Sequence, residues 1–128
     1  MLSLVLFLSL SGAPQGVSVK VAALELRGKA TRAEADLVTT AVSAELTAQG
    51  YALRTDEHGQ ALITGSLERR DEGWRLHLTL VRTADQLDLD DVTTNLARAD
   101  ELPRAGTESA RSLARAIRLN WGVRAHVK

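Results

Sequence analysis

Two alternating arms joined by a short charged link constrain this chain more than any other feature. Gln60 to Arg69 and Trp74 to Arg82 flank Arg70-Asp71-Glu72-Gly73, and a polar connection ending in Gly suits a β-hairpin. In the second arm Trp74, Leu76, Leu78 and Leu80 alternate with Arg75, His77, Thr79 and Val81. Successive strand side chains point to opposite faces, so this arm has one dry side and one wet side. Ile63, Gly65 and Leu67 supply the matching dry side of the first arm. A sheet built on such a hairpin needs cover on one face only.

Two helical segments can provide that cover. Thr31-Arg32-Ala33-Glu34 has the spacing of a capping box, in which the Thr hydroxyl and the Glu carboxylate each satisfy a backbone donor of the first turn. A helix from about Arg32 to Gln49 follows, with Ala35, Val38, Ala41, Val42 and Leu46 on one side and Gly50 placed to end it. Thr107 or Ser109 can cap a second helix that runs to about Trp121 and Gly122. Its apolar side is Ala110, Leu113, Ala114, Ile117 and Trp121.

The remaining segments read as strands: Val17 to Leu26 as a covered central strand, Tyr51 to Thr55 as a short one, and Val92 to Ala97 after the acidic stretch Asp85 to Asp91. The order is β-α-β-β-β-β-α. A strand, crossover helix and strand joined this way should be parallel, and the hairpin that follows is antiparallel. The expected class is α+β, a mixed β-sheet with two helices packed on one face. One domain, 17–121, accounts for the chain between an amino-terminal segment and a short basic tail, 122–128.

Leu2 to Leu10 is apolar and is followed by Ser11, Gly12 and Ala13. That run has the length of a signal-peptide core and about half of what a bilayer-spanning helix needs. Residues 1–13 are therefore expected to be a signal peptide, although the first charged residue is Lys20 and Pro14 would follow the cleaved bond. The mature chain, roughly 110 residues, should be periplasmic or secreted, without stable membrane insertion. There is no Cys, which removes disulfides, thiolate metal sites and a lipid-modified Cys in this sequence.

Charge is balanced at 16 basic against 16 acidic residues, and the mature part holds only Tyr51, Trp74 and Trp121 as aromatics. Nucleic-acid binding usually needs a basic surface and stacking platforms, so no nucleic-acid partner is expected. Catalytic constellations are equally thin. His58, His77 and His126 lack ligand spacing, and Gly65-Ser66 lacks the context of a nucleophile elbow. Asp85, Asp88, Asp90 and Asp91 offer oxygen ligands to a cation without a Ca-loop spacing, and read instead as a solvated acidic loop beside a strand edge. The expectation is a non-enzymatic protein with no cofactor and no metal.

The opening Val-Ala strand ending near Gly28, the helix closing at Glu45-Leu46 and Gly50, the strand Leu62-Ile63-Thr64-Gly65-Ser66-Leu67 and the hairpin into Leu78-Thr79-Leu80-Val81 together resemble the amino-terminal domain of TolB and its relatives. Those relatives include CsgG-like and LpoB-like envelope proteins. The resemblance covers about 17–121 and implies a periplasmic interaction or assembly module with an envelope protein as partner. It implies no catalytic residues. This chain departs from it in lacking propeller repeats and a lipidated Cys, and in carrying Thr83-Ala84-Asp85-Gln86 where a Thr-Gly turn is usual.

One surface feature suggests where contact occurs. Arg104, Arg111, Arg115 and Arg118 fall in a narrow stripe beside the apolar face of the second helix, extended by Arg124 and Lys128. Such a row can be a plain solvated face, with Glu45 pairing one of its members. The sharper alternative is a docking surface for an acidic partner, with Trp121 as apolar anchor. A small ligand or an anionic cell-wall polymer is the alternative occupant. The export expectation has a direct check. Protein recovered from its host should lack roughly the first thirteen residues by intact mass and fractionate with periplasm or medium, and a cytosolic species retaining Met1 would overturn it.

Overall fold

The computed structural model describes residues 17–55 and 59–122; the expected signal peptide and residues 123–128 of the expected basic tail lie outside the described residues. Strands β1 (Ser18–Val21) and β2 (Glu25–Gly28) precede helix α1 (Arg32–Ala48), and β3 (Ala52–Leu53), β4 (Ala61–Arg70), β5 (Gly73–Arg82) and β6 (Leu87–Leu96) precede helix α2 (Leu102–Ile117). The sheet runs β3-β1-β4-β5-β6, with β2 also on β4. Pairing is parallel for β1 with β3 and β4, and antiparallel from β4 through β6. This is the expected mixed sheet with two helices.

The apolar run expected as one first strand is split, and the reason is a change of phase. Val17 and Val19 are buried, and the next buried side chain is Leu24, five positions on. An odd interval along a strand needs one extra residue. Ala22, Ala23 and Leu24 supply it by standing opposite only Thr64 and Gly65, since Val21 pairs with Ile63 and Glu25 with Ser66. Ala22 N–H still donates to Ile63 O at 2.9 Å, so the chain bulges without leaving the sheet. Gly65 lies under this irregularity, where a Cβ would come within 2.1 Å of His77 O.

The hairpin is tighter than expected. Arg70 pairs with Gly73, leaving only Asp71 and Glu72 outside the ladder. Gly73 adopts φ +142°, and a Cβ there would sit 2.1 Å from Leu96 O. Only Gly satisfies both conditions. On the dry face Ala61, Ile63 and Leu67 of β4 and Leu76, Leu78 and Leu80 of β5 are buried, as the alternation requires.

The largest correction is β6. Asp88, Asp90 and Asp91 belong to a regular ten-residue strand and not to a loop. Asp disfavours strand by competing for backbone donors, but pairing with the whole length of β5 outweighs it. A register shift opposite Leu80 and Val81 absorbs one extra residue in β6.

Helix α1 begins as the capping box predicts. Glu34 N–H donates to Thr31 Oγ1 at 3.2 Å, and Thr31 N–H to Glu34 Oε1 at 3.0 Å. Ala35, Val38, Val42 and Leu46 are buried against the sheet, and Gly50 at φ +94° follows the C-cap Gln49. Helix α2 starts earlier than expected, with Pro103 in its first turn, where a missing N–H costs nothing. Thr107 is not a cap; its Oγ1 donates back to Pro103 O at 3.2 Å. Ser109 is buried, so it is not a cap either. The α-helix stops at Ile117, and Arg118–Gly122 continues as a π turn.

One cluster joins both helices to the sheet, with Leu46, Leu67, Leu78, Leu80, Leu113 and Ile117 essentially without solvent contact. Leu78→Ala should therefore cost about 2–5 kcal/mol by chemical denaturation. Thr79→Ala, on the opposite side, should cost less than about 1 kcal/mol; equal effects would mean the register is wrong.

Candidate interaction surface on the helical layer

Helix α2 places Arg104, Arg111, Arg115 and Arg118 in one row because residues three, four and seven apart share a face. The row runs along the seam between the helices. Arg111 Nε lies 3.4 Å from Glu45 Oε2 of α1, and Glu45 also accepts from Gln49 Nε2 at 2.8 Å. Arg118 Nη1 donates to Gln49 Oε1 at 3.0 Å. The result is a polar ladder, Arg111–Glu45–Gln49–Arg118, that ties α2 to the end of α1. Glu45 is only 15% exposed, which makes this tie less screened than a surface pair.

The four arginines therefore divide by role. Arg111 and Arg118 hold the helices together, while Arg104 reaches only Glu108 at 3.7 Å along its own helix and remains 82% exposed. Arg115 is exposed and makes no ion pair or hydrogen bond among the described residues. Trp121 is half-buried and packs against the core cluster, which places part of the ring in the fold and leaves part at the surface. Arg124 and Lys128 lie outside the described residues.

Sequence reasoning missed Gln49, whose amide bridges the two ion-pairing groups, and Tyr51. The Tyr51 side chain is 4% exposed beneath the seam and its Oη donates to Ala114 O at 3.4 Å. The signal available was position. The residues just past the α1 terminus face the carboxyl end of α2, which runs in the same direction as α1.

Elsewhere the polar groups are dispersed. His77 sits on the uncovered face of β5, His58 and His126 are outside the described residues, and no three His, Asp or Glu side chains converge on a metal-holding geometry among the described residues. Asp85 is clamped by Arg82 through two contacts, 2.9 and 2.7 Å, and these bonds hold its carboxyl below the usual carboxylate range. Ser66 lies in the middle of β4 across from His77 of β5, and among the described residues no hydrogen bond joins their side chains. A surface depression of about 280 Å³ is lined by Ser66 and His77 with Arg27, Glu68 and Arg75, and two others lie elsewhere. One of about 260 Å³ at the hairpin end is lined by Glu68, Arg70, Glu72, Trp74 and Arg75. One of about 420 Å³ lies over the split first strand, beside Asp36, Thr39 and Ser43. Both are open and lined by a mixture of apolar and polar or charged groups, unlike an enclosed apolar ligand site.

No protein-family model matches the chain, and no curated protein matches it. Solved structures do. TolB from Acinetobacter baumannii aligns at TM-score 0.60 and 13% identity, covering 83% of this chain and 29% of that one. A PelC dodecamer from Paraburkholderia phytofirmans aligns at 0.58 and 12%, covering 83% and 90%. The LpoB C-terminal domain from Salmonella enterica aligns at 0.54 and 10%, covering 73% and 92%. The fold is TolB- and LpoB-like. This chain spans less than a third of the TolB chain, and identity at this level carries the fold alone. No helix among the described residues is long and apolar enough to cross a membrane.

The seam makes one pH-dependent prediction. Burial raises the Tyr51 phenol above its ordinary 10.0, opposed by the charge of and a hydrogen bond with Arg118. A raised folded value means the native state holds the proton more tightly. The stabilisation is then complete below about 10 and is lost as pH rises through the folded value. Because Tyr51 is the sole tyrosine, phenolate absorbance reports it directly. Titration should occur above 10.0 in the folded chain, and Tyr51→Phe should remove the extra loss of stability in that range. A midpoint at or below 10.0 would contradict the burial argument.

Proposed function

We propose that this chain is an exported, non-catalytic module of the cell envelope that works by protein–protein contact through the seam of its helical layer. Its kinship with CsgG-like envelope proteins, its periplasmic or secreted location and its envelope protein partner belong to the same proposal. The observation that carries it is the division within the arginine row. Arg104 and Arg115 extend from a helix fixed in place by Arg111 and Arg118, so two cations are presented at constant spacing on a rigid support. Preorganised cations lose less entropy on meeting a carboxylate than cations on a mobile loop. Trp121, half-covered at the end of the row, supplies apolar area of the kind that anchors interfaces. TolB-, PelC- and LpoB-type structures sharing the fold support the envelope setting, and the open, charged depressions favour a macromolecular partner over a small ligand.

The double variant Arg104→Gln/Arg115→Gln tests this without touching the interhelical ties. Its stability should stay within about 0.5 kcal/mol of wild type. Cross-linking in intact envelopes should capture less of the partner, and wild-type capture should fall as salt rises, because exposed charges are screened over about 8 Å at physiological ionic strength. Undiminished capture by the folded variant would remove the arginine row from the interface. An anionic cell-wall polymer is the competing occupant, and retention of purified chain on immobilised polymer, lost in the variant, would select it.

A further inference from the structure

The two ends of the sheet are finished very differently. At one end β3 has two residues and β2 four, too short to template another strand. At the other, β6 presents ten residues, a length of about 34 Å. Among the described residues nothing pairs with its outer side. Long open edges invite strand addition unless charge, proline or a bulge prevents it.

In β6 those devices are confined to one half. The register shift and Asp88, Asp90 and Asp91 occupy the first part, whereas Val92-Thr93-Thr94-Asn95-Leu96 is regular, uncharged and free of proline. The register also sorts its side chains. Asp90, Val92, Thr94 and Leu96 pair with Leu80, Leu78, Leu76 and Trp74 on the helix side, and all four are only half-buried. Asp88, Asp91, Thr93 and Asn95 lie on the uncovered face and are exposed. The core thus ends in an apolar flank, Val92 and Leu96, which pack against the core cluster on one side and stay half-exposed at the edge, beside a concentration of negative charge.

That charge is largely uncompensated. Asp85 is neutralised by Arg82, but Asp88 and Asp90 have no ion-pair partner among the described residues, and Asp91 has only His77 Nε2 at 3.9 Å. We propose that the outer edge of β6 receives an extended segment of a partner protein as an added strand. Apolar side chains of that segment lie over Val92 and Leu96 on the helix side, and basic side chains meet Asp88 and Asp91 on the opposite face. Main-chain pairing supplies the affinity and the alternation supplies the selectivity. A second copy of this chain is the wrong occupant, because joining two β6 edges gathers the three aspartates of each along one seam. This surface is separate from the arginine row and does not depend on the role assigned to it.

The probe is a soluble decapeptide alternating Lys and Val, titrated into the full chain with backbone amide shifts followed by NMR. It should bind with shifts centred on β6. A Glu/Val decapeptide should bind at least tenfold more weakly, as should Lys/Val peptides N-methylated on alternate residues in either phase, which keep their charge but cannot pair as strands. Asp88→Asn/Asp91→Asn should weaken Lys/Val binding by tenfold or more while circular dichroism stays unchanged, and Arg104→Gln/Arg115→Gln should leave it unaltered. Equal binding of the N-methylated or acidic peptides, shifts centred elsewhere, unchanged affinity in the Asn variant, or no binding at millimolar peptide would each overturn the proposal.

Discussion

The close approach of the two helices at Gly106 is the constraint on which the rest depends. A Cβ at that position would lie 2.7 Å from Val38 O and 3.2 Å from the Ala41 Cβ, so the α2 backbone rests directly on α1. Such proximity lets two helices share one face of a narrow sheet and close a single core over Leu67, Leu76 and Leu78. It also sets the distance across which side chains can reach. Arg111 meets Glu45 and Arg118 meets Gln49 only because the helices are this near, and the arginines left over project from the helix that these ties hold. A bulkier residue at 106 would separate the helices, open the core and slacken the ladder together. Packing and surface geometry are therefore one problem here.

The hairpin is coupled to the same layer at its far end. Arg69 places its guanidinium 4.9 Å from the Trp74 ring centre while donating to Glu34 Oε2 at 3.3 Å. Glu34 is also the capping-box residue of α1. One carboxylate thus satisfies a helix terminus and anchors a strand pair, which fixes the entry angle of α1 relative to β4. Arg32 adds a bond to Leu24 O at 3.1 Å, tying the bulged first strand to the same corner. These contacts are partly exposed, so each is worth little singly; their effect is to specify one arrangement of elements that burial already favours.

What was legible in the sequence follows from which forces act locally. The alternation from Trp74 to Leu80 and the box at Thr31 and Glu34 are short-range patterns, and both appear as written, whereas Val81, expected on the wet side, is buried. The split of the first strand left only a trace, the shift from odd to even apolar positions between Val21 and Leu24, because a bulge is chosen by the partner strand. The first half of β6 was misread for the same reason. Leu87, Asp88, Leu89 and Asp90 do alternate, but Asp is a poor strand former and only the length of β5 reveals what recruits it. The start of α2 was obscured by Pro103, which stops a helix in its interior and favours one in its first turn. At the surface, spacing showed the arginine row and the chance that Glu45 would meet it, whereas the split between tied and free arginines needed Gln49 in three dimensions.

A sheet covered on a single face must end somewhere, and where it ends decides what the molecule can offer to others. On the α1 side the layer closes with Tyr51 buried under the helix termini and with strands too short to extend. On the β6 side the core thins gradually, from fully buried Leu76, Leu78 and Leu80 in β5 to half-buried Val92 and Leu96 in β6. Positive charge gathers over the helix seam and negative charge along the open edge, so the balanced total conceals two surfaces of opposite sign. Neutral net charge leaves little long-range steering toward any single partner, and recognition must come from local geometry. The seam provides cations at fixed spacing and the edge provides a backbone ladder. The two demands differ enough that a partner suited to one gains nothing from the other, so the two proposed contacts do not compete for one surface.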